Sequence, residues 1–411
     1  MIVRKIKKEE LNERNIISSV CFEMPYLPQT SDELCKKYSN LDRRIERDWQ
    51  NRWCAFLDDG KTMISSIGSF PYDVYFDEKK VKMGAAISGV ITMPQYRNQG
   101  AVRECLKQAF AEMYEQGVPF SYLYPFSTKY YNKFGYEKVM KKVVWTLPIS
   151  SITKKYIGGT VKFYQPGDDI SDLKSIYNTC MSVCNFAVDR SDIDWKSVTK
   201  SFSLDNSPQH FTYSFVSNDN IPKSFITFTK QTDTFNRKLM VCRNFFSIDF
   251  EGLCGILQFV RGFSSNYEAI QFTTPEHFRP ENAFDEFACG YEYAKSSFHG
   301  MARVIDVQKV LELARYNGSG KVTFSISDPY CEWNDGTFVL SFSNGKFESI
   351  SRLSSDVKPD VKMGIGDFTA SISGRYSIDD FGFVPDVTLN GNIENLSKVF
   401  YRKKMFIWDL F

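Results

Sequence analysis

Between Val90 and Arg103 the chain reads Val-Ile-Thr-Met-Pro-Gln-Tyr-Arg-Asn-Gln-Gly-Ala-Val-Arg. An apolar run stops at Pro94, crosses a basic turn with a single glycine, and resumes as a helical pattern. Val102, Leu106, Ala109, Phe110 and Met113 share one face of that helix, and Gly117 is its natural stop. Upstream, Trp53 to Leu57, Met63 to Tyr75 and Val81 to Met93 read as successive strands. Asp58-Asp59-Gly60 and Asp77-Glu78-Lys79-Lys80 are the turns between them. Ile16, Ile17, Val20, Cys21 and Met24 recur at helical spacing, as do Leu34, Tyr38, Leu41 and Ile45. Ser121 to Tyr124 is a further strand, followed by a short helix and a strand near Val143 to Leu147. Residues 1–150 are therefore expected to form an α/β domain.

At 411 residues the chain is too long for one ordinary core, and two or three domains are expected. A composition 43% hydrophobic and 24% charged is that of a folded, soluble protein. The 51 basic and 49 acidic residues leave a net charge of +2, which makes no case for a nucleic-acid partner. The Lys- and Glu-rich start lacks the layout of a signal peptide, and no apolar run approaches the ~20 residues of a membrane span. The cysteines are scattered, with Cys180 and Cys184 at helical spacing, so free thiols in a reducing cytoplasm are expected. His210, His277 and His299 are isolated in sequence, which argues against a His-rich metal site or a Ser/His/Asp triad.

The middle third repeats the first in outline. A helical stretch covers Ile170 to Phe186, with strands at Phe211 to Val216, Ser224 to Thr229 and Leu239 to Ile248. A helix from Leu253 to Phe263 and a strand at Ala269 to Thr273 follow. The copy lacks the basic glycine turn: Asp249 and Glu251 present carboxylates where an anion needs donors. Residues 298–411 differ in character. A helix carrying Val304, Val307, Val310, Leu311 and Ala314 leads into strands broken by Asn317-Gly318, Asn334-Asp335-Gly336 and Asn344-Gly345, pairs that favour hairpin turns. Helices are expected near Ile365 to Ser373 and Ile393 to Phe400. The closing Met405-Phe406-Ile407-Trp408-Asp409-Leu410-Phe411 is too apolar for a loose tail and should be buried or docked.

Backbone N–H groups at a helix N-terminus bind anions, aided by the helix dipole. The turn Arg97 to Val102 supplies such amides, Gly100 allows close approach, and Arg97 and Arg103 add charge; the pyrophosphate of coenzyme A is a fitting ligand. Val90, Ile91 and Thr92 would end a strand able to pair with pantetheine amides. A basic turn that only caps its helix has the same residues, so this segment alone is weak. A second segment, Tyr131-Asn132-Lys133-Phe134-Gly135-Tyr136, adds a proton donor. A tyrosine with a pKa of ~10 stays protonated near neutrality and can protonate a departing thiolate. Tyr130 and Tyr136 compete for that role, and Tyr136 suits packing best.

On these segments the chain resembles the GNAT superfamily, and within it the Eis (enhanced intracellular survival) family of N-acetyltransferases. The resemblance spans the whole chain and implies an α/β (α+β) protein: tandem GNAT-like domains followed by a sterol-carrier-protein-like domain. The implied boundaries are 1–150, 151–297 and 298–411, and the Met301-Ala302-Arg303-Val304-Ile305-Asp306 run fits the start of the third. Val102 departs from the general GNAT pattern, where Gly or Ala is usual. The resemblance implies acetyl-CoA contacts from Val90, Ile91, Thr92, Asn98, Gln99, Gly100, Ala101, Val102, Arg103, Phe126 and Ser127. It implies Tyr131 as general acid and the C-terminal carboxylate of Phe411 as general base, with no metal. It further implies a cytoplasmic homo-oligomer, usually a hexamer, acting on small polyamines such as aminoglycosides or on lysine side chains. Glu23, Asp32, Glu33 and Asp409 are candidates for the acceptor side. Two other readings compete: a carrier of lipid in the third domain, and an aminoacyl transferase of the peptidoglycan-building type. The near-neutral charge argues against the tRNA that the latter would need.

Overall fold

A computed structural model describes residues 1–26, 28–39, 49–155, 157–199, 210–285, 293–354 and 357–409. Leu41 and Ile45, expected on a helix, and the chain-terminal Phe411 lie outside the described residues. The chain forms two compact units: Met1–Met140 with Asn185–Val188 and Gly300–Phe411, and Lys141–Cys184 with Asp189–His299. The first unit therefore draws on both ends of the sequence.

In the first unit β1 (Ile2–Lys5), β2 (Arg52–Phe56), β3 (Met63–Phe76) and β4 (Lys79–Thr92) pair antiparallel in chain order. Helices α1 (Leu11–Phe22) and α2 (Ser31–Ser39) lie between β1 and β2 in the chain. After β4 comes α3 (Ala101–Glu115), then β5 (Phe120–Leu123), which returns parallel to β4. Ala101, Val102, Cys105, Leu106, Ala109, Phe110 and Met113 of α3 are buried, the i, i+4 spacing that lays one helix face on a sheet. Burying each large apolar side chain contributes roughly 1.5–3 kcal/mol. Gly117 closes the helix at φ +66°, where the Val118 amide donates to the Met113 carbonyl at 2.9 Å. The short helix α4 (Thr128–Asn132) follows β5.

The far side of β5 pairs antiparallel with the end of the strand Ala294–Val304, β12 in chain order. Val304 thus closes a strand, whereas the sequence pattern puts it on a helix. The helix itself is α8, Val307–Leu313, capped by the Asp306 carboxylate accepting from the Lys309 amide at 3.0 Å. The remainder of the first unit is a second sheet of β13 (Gly320–Ser327), β14 (Gly336–Ser343), β15 (Lys346–Leu353), β16 (Val361–Gly364) and β17 (Thr388–Leu389), ordered β15-β14-β13-β16-β17. Asn344 and Gly345 both have positive φ and join β14 to β15 as a two-residue hairpin turn. Asn334-Asp335-Gly336 makes no two-residue turn: it ends the longer connection between the antiparallel strands β13 and β14. Helices α9 (Ile365–Ser373) and α10 (Ile393–Val399) bury Phe368, Ile372, Leu396 and Val399.

The second unit repeats the first unit's crossover. Its strands are β6 (Glu137–Pro148) from Lys141 onward, β7 (Gly159–Tyr164), β8 (Phe211–Ser217), β9 (Pro222–Thr232), β10 (Lys238–Ser247) and β11 (Ala269–Pro275), ordered β6-β11-β10-β9-β8-β7. Here β10 and β11 are parallel and flank α7 (Phe250–Arg261), as β4 and β5 flank α3. Met240, Ile256, Leu257, Val260 and Ile270 lie in its core. Its other helices are α5 (Ser171–Met181) and α6 (Asp192–Thr199); α5 stops before Phe186, which has φ +69° and so cannot continue a helix. Among the described residues no helix is long and apolar enough to cross a membrane.

Candidate active site

The last third of β4 does not run straight. Gly68 of β3 faces Ser88 and Ser66 faces Ile91, so two steps along β3 match three along β4. This is a β-bulge, with Gly89 at φ +54°. A side chain there would also meet the Arg14 guanidinium, 2.7 Å from a Cβ on Gly89. On the other side, β4 pairs with β5 at Met83–Phe120 and Gly84–Ser121. Beyond that, β5 ends at Leu123 while β4 continues to Thr92. A cavity of about 220 Å³ lies there, lined by Ile87, Ser88, Gly89 and Val90 of β4 together with Tyr124, Phe126, Tyr131 and Phe22.

The sequence-derived residues divide over this geometry. Val90, Phe126 and Tyr131 line the cavity. Ile91 is turned into the core beside Ile6 and Leu11, and its carbonyl accepts from the Ser65 hydroxyl at 2.7 Å. The Thr92 hydroxyl pairs with Ser65 at 3.0 Å, and its carbonyl accepts from the Cys21 thiol. Ser127 caps α4, its hydroxyl accepting from the Tyr130 amide at 3.3 Å. Gly89, Phe22 and Tyr124 were not picked out from the sequence. A glycine inside a strand pattern is a bulge signal, so Gly89 could have been found.

The turn after β4 takes two left-handed steps, Asn98 at φ +65° and Gly100 at +83°. Gly100 is the N-cap of α3, and no side chain caps that end. The first helical hydrogen bond is from Glu104 to the Gly100 carbonyl, so the amides of Ala101, Val102 and Arg103 have no acceptor within the helix. Arg97, Asn98 and Gln99 are exposed, whereas Ala101 and Val102 bury their side chains and hold the helix end in place. The Arg103 guanidinium lies over the turn, 2.8 Å from where a Cβ on Gly100 would sit, and donates to Glu104. An uncapped end of a fifteen-residue helix with a cation beside it suits an anion. The matching end of α7 is built otherwise. Asp249 caps it by accepting from the Gly252 amide at 2.9 Å, and Lys223 pairs with Asp249 and Glu251 at 2.5 and 3.3 Å.

Tyr131 is 2% exposed and packs edge-on against Phe126, Tyr130 and Tyr136, with ring centroids 5.4, 5.2 and 6.1 Å away. Burial pushes its phenol pKa up, so it holds its proton across the neutral and alkaline range. Among the described residues its hydroxyl has no hydrogen-bond partner. Tyr136 is fully buried and bonds the Ser121 hydroxyl at 2.6 Å, which in turn donates to the Gly84 carbonyl. Tyr136 is therefore a packing tyrosine.

The apolar tail is docked on the same unit. Lys403 and Asp77, each 6% exposed, form an ion pair at 2.7 Å. The Asn185 amide donates to the Lys404 carbonyl, and the Phe406 amide to that of Asn185. Phe406 and Ile407 are buried, and the Ile407 amide points at the Met140 sulfur. The Tyr124 hydroxyl then donates to the Asp409 carbonyl. Of the acceptor-side candidates, Asp32 pairs with Lys8, and Glu33 accepts from the Thr30 amide at the start of α2. Glu23 is exposed and left-handed at the end of α1. Among the described residues no group of three or more His, Cys, Asp or Glu could hold a metal ion.

Residues 2–139 match the acetyltransferase (GNAT) domain, and residues 307–408 match the sterol carrier protein domain. A comparison with curated proteins finds no match. Several solved structures share the fold over its whole length. A GCN5-related N-acetyltransferase from Anabaena variabilis is 18% identical, with a TM-score of 0.83 and 100% of both chains covered. A conserved protein of unknown function from Enterococcus faecalis, a probable N-acyltransferase, is 17% identical at 0.83, covering 100% of this chain and 99% of its own. Eis1 from Mycobacterium abscessus is 13% identical at 0.77, with both chains fully covered. The chain thus carries an acyltransferase domain of the GNAT type in its first third. A sterol carrier protein domain follows at the other end of the chain, and the whole-chain fold is the one Eis1 also has.

Proposed function

We propose that the protein is an N-acetyltransferase that moves acetyl from acetyl-CoA to a primary amine by direct attack. The observation that carries this reading is the pairing of an uncapped, Arg-flanked helix end at Gly100 with a cavity between diverging strands that has Tyr131 in its wall. The residues fit the co-substrate. The amides of Ala101, Val102 and Arg103 would hold the pyrophosphate, with Asn98, Gln99 and Gly100 letting the backbone approach. The bulged end of β4 at Val90 would face the pantetheine arm, ahead of Ile91 and Thr92, with Phe126 and Ser127 flanking it.

Acetyl-CoA supplies an acetyl group activated as a thioester. The amine nitrogen attacks its carbonyl carbon, the carbon–sulfur bond breaks, and the Tyr131 hydroxyl delivers its proton to the departing sulfur. A base must take the proton lost by the amine. The Phe411 carboxylate is our candidate, because the tail is already beside the cavity at Tyr124 and Asp409. A carboxylate is an intrinsically weak base at neutral pH, and desolvation there would strengthen it. The acceptor class is a small polyamine such as an aminoglycoside, or a lysine side chain, and the working form a cytoplasmic homo-oligomer, a hexamer by analogy. The test is release of free thiol from acetyl-CoA with a panel of amines. Amine-dependent release that vanishes in Tyr131→Phe is expected; absence of release with every amine would overturn the reading.

A further inference from the structure

α4 is only five residues long, too short to hold itself in water, so what fixes Tyr131 must be tertiary. Its start is tied by Ser127. Its end is tied from the C-terminal third. The Tyr131 carbonyl accepts from the Phe134 and Tyr136 amides, so the turn 132–136 closes on Tyr131 itself. Arg303, at the end of β12, donates through Nη1 to the Phe134 carbonyl, and its guanidinium stacks on Phe110 with 4.5 Å to the ring centroid. Gly135 has φ +78°, and a Cβ there would lie 2.0 Å from Arg303 Nη1. That glycine is thus required twice, by the backbone and by the guanidinium.

Arg303 is itself held. Its Nη2 reaches both oxygens of Asp328 at 2.7 and 2.6 Å, and both side chains are fully buried. Asp328 also accepts from the Tyr330 and Cys331 amides at 3.1 and 3.2 Å, and from Asn334 Nδ2 at 3.0 Å. Asn334 Nδ2 also donates to the Ile305 carbonyl, and its Oδ1 accepts from the Val307 amide. The Tyr330 ring meets Phe134 at 5.4 Å. A buried ion pair is seldom more stabilising than apolar side chains of equal volume. What this pair supplies and an apolar pair would not is a fixed donor at the Phe134 carbonyl.

We infer that Arg303, oriented by Asp328, is a positioning residue for Tyr131: the C-terminal third sets where the acid's hydroxyl points in the cavity. This rests on the reading of Tyr131 as general acid. The test compares Arg303→Met/Asp328→Leu with Tyr131→Phe and with the triple variant in the thiol-release assay, alongside thermal melting and acetyl-CoA binding. The expected result is a folded pair variant with acetyl-CoA affinity within about twofold of the parent and kcat reduced roughly 10- to 100-fold, the scale of a 1 Å misplacement. Adding Tyr131→Phe to it should cost far less than in the intact enzyme, because one function is being lost twice. A pair variant with undiminished kcat, or losses that multiply, overturns the positioning role while Tyr131 stands. An undiminished kcat in Tyr131→Phe alone overturns the acid assignment and the inference with it. Should the pair variant not fold, Gly135→Ala makes the same test by displacing the guanidinium. There too an undiminished kcat overturns the inference.

Discussion

The Tyr124 hydroxyl donates to the backbone carbonyl of Asp409 at 2.7 Å, across 285 residues of sequence. Tyr124 follows β5 and lines the cavity, so the C-terminal segment is held at the wall of the site. Attaching a few residues beyond Phe411 should therefore abolish turnover while acetyl-CoA still binds. Isothermal titration beside the thiol-release assay measures both, and a normal rate in the extended protein would remove Phe411 from the mechanism.

Tyr131→Phe should lower kcat by about 10²- to 10³-fold with little change in acetyl-CoA affinity. Because burial raises the pKa of this phenol, the acid stays protonated as the medium turns alkaline. The parent enzyme should consequently show no fall in kcat between pH 8 and roughly pH 9.5. A fall in that window that disappears in Tyr131→Phe would contradict this.

Gly100→Ala should act on binding. The new Cβ meets Arg103 at 2.8 Å and requires φ +83° of an L-residue. We expect acetyl-CoA affinity to weaken about tenfold, near 1.4 kcal/mol, with kcat at saturation little altered. Equal binding by titration would separate the turn from the pyrophosphate.

Asp77→Asn keeps the left-handed backbone, which Asn tolerates, but leaves the buried Lys403 ammonium unpaired. Removing one member of a buried pair costs about 3 kcal/mol. A lower melting temperature should come with lower kcat, since the same pair anchors the tail. Loss of stability with full turnover would uncouple them.

Asp367 has its carboxyl raised to about 6, first by burial and then by Glu137 and Asp386. The folded state thus binds a proton that the unfolded chain releases at about 3.9, so stability from this group is present below that value and is lost as pH rises through 6. Asp367→Asn should stabilise the protein near pH 7.5 by about 1 kcal/mol after allowance for solvent screening, and by nothing near pH 3.5. Paired thermal melts at the two pH values decide it.

What was legible in the sequence was local. The turn at Arg97–Gly100, the stop at Gly117 and the Asn344-Gly345 hairpin each depend on residues within one turn of one another. The burial of Phe406 and Ile407 followed from their composition. The end of β12 was not legible: Met301 to Val304 pair with Leu123 to Phe120, and nothing nearby announces a partner so distant. Val304 was for that reason drawn into the helical pattern of Val307 and Val310. Arg303 and Asp328 escaped for the same cause, since their meeting with Phe134 depends on that strand. The roles of Glu33 and Asp32 were invisible because capping and ion pairing are indifferent to whether a carboxylate resembles a substrate contact.

The Asp249 carboxylate that closes α7 has a quantitative consequence. A duplicated module would ordinarily double the number of nucleotide sites, but here the second helix end already carries its own anion, neutralised by Lys223. Each chain should accordingly saturate with a single equivalent of acetyl-CoA, so that any cooperativity in binding must arise between chains and never within one.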